Sequence, residues 1–285
     1  MTPSSSSTLG PLQPGNVVSA ALRLYRDRFK MYLSLSVRAY LWLFVPVYGW
    51  AKYGMYTGVM SRLAYKELID QPETSEDSLN ALQPKMWGFL GVGLLLGCLF
   101  VGAYIAIALA SVIVAFIIGG LLGVIGGLLL GAEFGGIIGG VVGAIVFFLA
   151  LMFGLLWVVG RLLIAEVPLA IEPLNDVTKS IGRSWLLSAQ SIWRIQFVVL
   201  AAFLTTLPLL LVTSYLPQIP LLAQEPGTPE YWTLYFIVLI PSLIGNMLVL
   251  PFWQVVKGVL YYDLRSRREG LDLEITDSPI MDSPR

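Results

Sequence analysis

The sequence contains no histidine. That removes the commonest general base, every Ser-His-Asp arrangement and every histidine-containing metal site. The single cysteine, Cys98, sits inside an apolar run, so neither an intrachain disulfide nor a cysteine cluster can form. Charge is scarce as well: Asp, Glu, Lys and Arg make up 13% of 285 residues, about half of ordinary globular usage. Eighteen basic residues balance eighteen acidic ones, so no net charge points to nucleic acid as a partner. Hydrophobic residues fill the gap at 56%, with a mean hydropathy of +0.77. Too few charges remain to coat a soluble surface. The chain reads as all-α, a polytopic transmembrane helical bundle.

Residues 1–16 are rich in Ser, Pro and Gly, carry no charge, and read as a disordered tail that is retained, since no basic region precedes an apolar one. A single transmembrane domain is expected over 17–274, with a flexible tail over 275–285. Within 17–30, Val18, Leu22, Tyr25 and Phe29 share one helical face and Arg23, Arg26, Asp27 and Lys30 the other, the pattern of an interfacial amphipathic helix. The first span, 31–53, is interrupted by Arg38 and Pro46; it either crosses or bends at Pro46 and returns. An acidic loop follows over 67–85.

From Met86 to Gly160 the only charge is Glu133. As one helix this stretch would be ~112 Å long against ~30 Å of hydrocarbon, so it crosses more than once. Three passes, 87–110, 113–132 and 136–160, fit its length; two long tilted passes turning near Glu133 are the alternative. Residues 161–194 are polar, and Val177, Ile181, Trp185 and Ile192 share the apolar face of a second interfacial helix. Spans at 195–216 and 232–256 complete a six-span reading. Basic residues cluster in the N-terminal helix, in 161–194 and after Lys257, while 217–231 has none, which puts both termini in the cytoplasm. One conflict stands. Six spans export 51–86 despite Lys52, Arg62, Lys66 and Lys85; the alternative is a four-span form with 31–64 dipping in and returning. Trp50, Trp87, Trp157, Trp193, Trp232 and Trp253 lie near the expected span ends, as interface belts require.

The most specific local feature is a four-residue ladder: Gly119, Gly123, Gly127, Gly131, Gly135, Gly139 and Gly143. Such spacing stacks glycines along one helix face and lets another backbone approach closely. It serves packing between two spans of this chain, assembly with a second copy, or a solute path. Glu133, beside a GAEFGG break, is either a loop residue or an intramembrane carboxylate. Asn246 is the other polar candidate within a span.

No phosphate-binding glycine loop, EF-hand or zinc pattern occurs. Glu166, Glu172 and Asp176 lie close in sequence but match no ligand loop, and read as solvated interface charges. Neither cofactor nor metal is expected, and the chain is read as non-catalytic.

Three stretches carry a resemblance: Leu24-Tyr25-Arg26; RLLIAEVPLAIEPLNDVTKSIGRSW at 161–185, with Arg183-Ser184-Trp185 before a span; and LYYDLRSRREGLDLE at 260–274. Together they resemble the bacterial six-span family called glycerophosphoryl diester phosphodiesterase membrane-domain-like. The stretch 49–73 is similar to cyanobacterial members in particular. The family takes its name from fusion to a phosphodiesterase domain with catalytic His and acidic ligands, which this chain lacks, so the resemblance implies a membrane domain and no activity. The glycine stretch departs from the family pattern.

The expected role is a membrane scaffold or accessory subunit of a bacterial inner or thylakoid membrane, contacting membrane lipids and a second copy or another membrane protein. The alternative is a transporter or channel for a small or lipidic solute. Gln196, Asn246 and Gln254, with Pro208, Pro241, Gly245 and Pro251 as helix breaks, are its support.

Overall fold

The computed structural model describes residues 14–269, and all secondary structure among them is helical. The helices are α1 (Pro14–Asp27), α2 (Phe29–Trp42), α3 (Tyr48–Leu68), α4 (Ser75–Leu82), α5 (Met86–Leu130), α6 (Ala132–Leu162), α7 (Val167–Ile171), α8 (Val177–Ser188), α9 (Ile192–Leu210) and α10 (Pro229–Glu269). Four helical stretches, Ser75–Leu130, Ala132–Ile171, Ile192–Ala223 and Pro229–Glu269, are long and apolar enough to cross a membrane.

Several boundaries differ from the sequence reading. Residues 1–13 and the tail at 275–285 lie outside the described residues, while Pro14–Asn16 open α1 instead of belonging to a tail. Proline is tolerated in a first helical turn because its missing N–H would have had no partner there. The 31–53 segment is not one helix. It breaks at 43–47, where Pro46 lacks a donor and Val47 takes a φ of +60°, so α2 and α3 form a hairpin. The 87–110 and 113–132 passes are one 45-residue helix, α5. No proline or charge interrupts that sequence; the turn comes at Gly131, whose φ of +97° is open to glycine at no steric cost. Span 136–160 corresponds to α6. After Pro208 the α9 chain widens into a π-helical turn at Leu211–Tyr215 and then a 3₁₀ segment at Leu216–Ala223.

The single domain expected over 17–274 divides into two compact units, one of residues up to Val92 and from Ile164 onward, the other Gly93–Leu163. The larger unit is built around the second half of α10. Val255, Val256, Val259, Leu260 and Tyr261 are buried there, along with Leu35 of α2, Met60 of α3 and Ile195 of α9. Gly258 lets α3 come close: a Cβ there would stand 2.5 Å from the Ser61 carbonyl oxygen. Hydroxyls from the surrounding helices bind α10 carbonyls. Tyr25 donates to Leu248 at 2.9 Å, Ser36 to Met247 at 2.7 Å and Ser61 to Gln254 at 3.1 Å. In the smaller unit α5 and α6 form an antiparallel pair joined at Gly131.

Candidate functional site

Several charged side chains of the larger unit gather into ion-paired clusters. Glu73 follows α3 and accepts from Arg62 through both carboxylate oxygens, at 2.7 and 2.8 Å. Ser78 donates to it at 2.9 Å, and Lys66 lies 3.4 Å away. Burial alone would push the Glu73 carboxyl upward. The hydrogen bonds from Arg62 and Ser78 and the charges of Arg62 and Lys66 outweigh it and hold the pKa down at about 2. Arg62 also donates to the Ala170 carbonyl at 2.9 Å, and Lys85 donates to the Leu169 and Glu172 carbonyls at 3.1 and 2.8 Å. Cations thereby satisfy the carbonyls left open at the end of α7.

A second cluster centres on Glu172, which accepts from Arg183 at 3.0 Å and from the Tyr261 hydroxyl. Arg183 also pairs with Glu269. Glu269 meets Arg265 at 2.7 Å, and Arg265 donates to Tyr65 at 3.0 Å. Burial works against the Arg183 cation, yet its bonds to Glu172 and Glu269 raise its pKa further. In a third cluster Arg194 binds both oxygens of Asp263, at 2.8 and 3.0 Å; the Asp263 side chain is fully buried and also faces Arg267 at 3.3 Å. Lys257 pairs with Glu166 at 2.8 Å.

Of the acids read as solvated, Glu166 and Glu172 are half-buried and paired, while Asp176 is exposed and caps α8 by accepting from the Thr178 N–H at 2.8 Å. They do not converge, and among the described residues no group of three such side chains could hold a metal. The expected second interfacial helix is shorter than read: α8 ends at Ser188, and Ile192 opens α9. α8 buries Ser180, Ile181, Ser184, Leu187 and Ser188, and leaves Trp185 exposed. Ser180 anchors the buried face: its hydroxyl donates to Ala165 at 2.6 Å and accepts from the Leu169 N–H at 3.1 Å.

In the smaller unit six of the seven ladder glycines face each other across α5 and α6. A Cβ on Gly119 would stand 2.6 Å from Gly139 O, one on Gly123 would stand 3.1 Å from Gly135 O, and one on Gly135 would stand 2.4 Å from the Gly127 nitrogen. Gly143 opposes Ala115 and Gly119. Gly131 is the exception; it forms the turn and meets nothing within 4 Å. Glu133 is exposed in the first turn of α6, beside that turn, where the N-terminal dipole favours an anion.

Asn246 is exposed on α10 and donates to Ser242 O one turn earlier, at 2.8 Å. Gln254 is buried against Ser61, and Gln196 is half-buried on α9. They form no common site. Pro241 and Pro251 leave α10 continuous; the true irregularity is the π turn, where Thr213 seats on Gly245. Next to it lies an open pocket of about 710 Å³ lined by Tyr215, Gln218, Tyr231, Tyr235 and Ser242 among others. Sequence reasoning missed this pocket, although Pro208, Pro217 and Pro220 together signalled an irregular end to α9.

No family model, no curated protein and no solved structure matches this chain.

Proposed function

We propose that this chain is a non-catalytic, membrane-embedded scaffold or accessory subunit that crosses the bilayer four times and adds a returning α2–α3 hairpin. The observation carrying this reading is how the charged side chains are used: Glu166, Glu172, Asp263 and Glu269 each tie separate elements together through Arg or Lys, and Arg62 of α3 holds both Glu73 and an α7 carbonyl. Four crossings also remove the conflict of the six-span form. Apart from Arg38 and Lys52 within the hairpin, which enters from that same side, the basic residues from Arg23 to Lys85, from Arg161 to Arg194 and from Lys257 to Arg268 then face the cytoplasm with both termini. The turn at Gly131 and the loop at 217–231, which have none, face away. A bacterial inner or thylakoid membrane and kinship with the phosphodiesterase membrane-domain-like family belong to the same reading.

Native mass spectrometry of the protein gently extracted from its own membrane tests the role. A stoichiometric second polypeptide is expected for an accessory subunit. A monomer or self-assembly carrying only lipid overturns that role. The pocket beside the π turn favours a second reading, transport of a small or lipidic solute, because π turns recur at functional sites and broken helices line substrate paths. Uptake by reconstituted protein that Tyr235→Ala abolishes would establish it.

A further inference from the structure

We propose that the α2–α3 hairpin is a wedge filling a single leaflet, and that it gives the protein a preference for membranes convex on the side of its termini. The proposal rests on the four-crossing reading. α2 has 14 residues, about 21 Å, too short for ~30 Å of hydrocarbon. Its legs are tied at both ends. Arg28 before α2 pairs with Glu67 near the foot of α3 at 2.7 Å; Trp42 and Tyr48 pack edge to face beside the turn, centroids 5.5 Å apart. The turn is fixed as well. Val47 holds a φ of +60°, costly for a β-branched residue, and a Cβ on Gly49 would lie 1.8 Å from the Trp42 oxygen.

Depth follows from the register along α10. Ser61 bonds Gln254, 193 residues on, while Tyr65 receives a bond from Arg265, so α3 runs parallel to α10 with its foot toward the C-terminus. The same offset carries Tyr48 to Pro241, and the closer approach of Gly258 to Ser61 carries it to Gly245. Both lie in the middle of the apolar run 232–256. The tip thus reaches mid-bilayer.

Its surface fits that depth. Leu41, Phe44 and Val47 are 61%, 78% and 53% exposed, an apolar tip that hydrocarbon covers and water would not. The outer face of α2 carries Lys30 at the base, Ser34 in the middle and Arg38 one turn before the tip, and neither Lys30 nor Arg38 has an ion-pair partner among the described residues. Lys30 suits lipid phosphates at the leaflet surface, and Arg38 reaches toward the same surface by extending its long side chain along the hairpin. Lys52, one turn past Tyr48 on α3, places its ammonium over the Tyr48 ring. A crossing helix adds the same cross-section to both leaflets. A hairpin ending at mid-bilayer adds two helices, each ~10 Å wide, to one leaflet alone. That asymmetry favours convex curvature on the hairpin side.

The full chain is reconstituted into small, strongly curved vesicles and into large ones. Its orientation is read by an impermeant maleimide on Ser19→Cys in a Cys98→Ser background. A several-fold excess of outward termini in small vesicles, vanishing in large ones and in Leu41→Ser/Phe44→Ser, is expected. If that variant does not fold, the size dependence of the parent protein decides alone. A fluorophore on Phe44→Cys, quenched by lipids spin-labelled at graded depths, separates the failures. Equal orientation at both sizes with position 44 at mid-bilayer overturns the wedge and leaves the hairpin standing. Labelling of Phe44→Cys from the face opposite Ser19→Cys overturns both.

Discussion

Ser36 donates its hydroxyl to the Met247 carbonyl at 2.7 Å, and Met247 is the residue whose helical donor, four positions on, is Pro251. Proline has no N–H, so α10 carries an orphan acceptor at a partly buried site, and α2 supplies the missing donor. Ser36→Ala should cost about 1–3 kcal/mol, the penalty for a partly buried carbonyl left unsatisfied. In a Pro251→Ala background the helix satisfies its own carbonyl and Ser36→Ala should become nearly neutral. Thermal unfolding of the four proteins in one detergent measures the coupling; equal losses in both backgrounds would refute it.

Glu73 sets an acid limit. Its folded pKa, about 2, lies below the ordinary 4.5, so the unfolded chain binds a proton first as pH falls. Its stabilising contribution is complete above about pH 4.5 and is lost between there and about pH 2. Glu73→Gln removes the charge permanently. The variant should be less stable by about 1–2 kcal/mol at neutral pH, a figure lowered for solvent screening of a partly exposed pair, and the difference should shrink below pH 4. A constant difference across that range would count against the Arg62–Glu73 pair.

Composition and hydrophobic run lengths were enough to place this chain among helical membrane proteins, because only apolar helices bury so much hydrocarbon-like surface. Run length did not choose between three passes within 86–160 and two turning near Glu133, and the single break at Gly131 matches the second. Glycine is a breaker in water, but Gly119, Gly123 and Gly127 of α5 sit where the α6 backbone closes over them, within a helix that Gly131 ends. The hairpin break was legible at Pro46. The ion-paired clusters were not: Arg62–Glu73 are 11 residues apart, but Lys257–Glu166 are 91 apart and Arg265–Tyr65 are 200 apart, and no local period encodes such pairs. Asp263 looked like one more charge near a span end, and nothing around it in sequence announced its complete burial.

The glycine ladder divides by face. A Cβ on Gly139 would lie 2.6 Å from Gly119 O, whereas Gly140 meets nothing within 4 Å. Gly139→Ala should force α5 and α6 apart and cost about 1–3 kcal/mol. Gly140→Ala should be neutral or stabilising by up to ~1 kcal/mol through helix propensity. Melting temperatures of the two variants check this, and equal effects would mean that the two helices do not meet on this face.

Asp263 offers the sharpest contrast between removing a charge and removing a pair. Its side chain is fully buried between Arg194 and Arg267, and Arg194 reaches both of its oxygens. Asp263→Asn keeps the volume but leaves two cations facing a neutral amide, which should cost about 3–5 kcal/mol. A buried ion pair is itself a weak source of net stability, since desolvation offsets most of the Coulomb gain. Arg194→Met combined with Asp263→Leu should therefore recover part of the loss seen in Asp263→Asn. Unfolding midpoints measured at low and high salt decide the matter: a buried pair makes the Asp263→Asn loss nearly independent of salt, and a loss that fades with added salt would place the carboxylate in solvent.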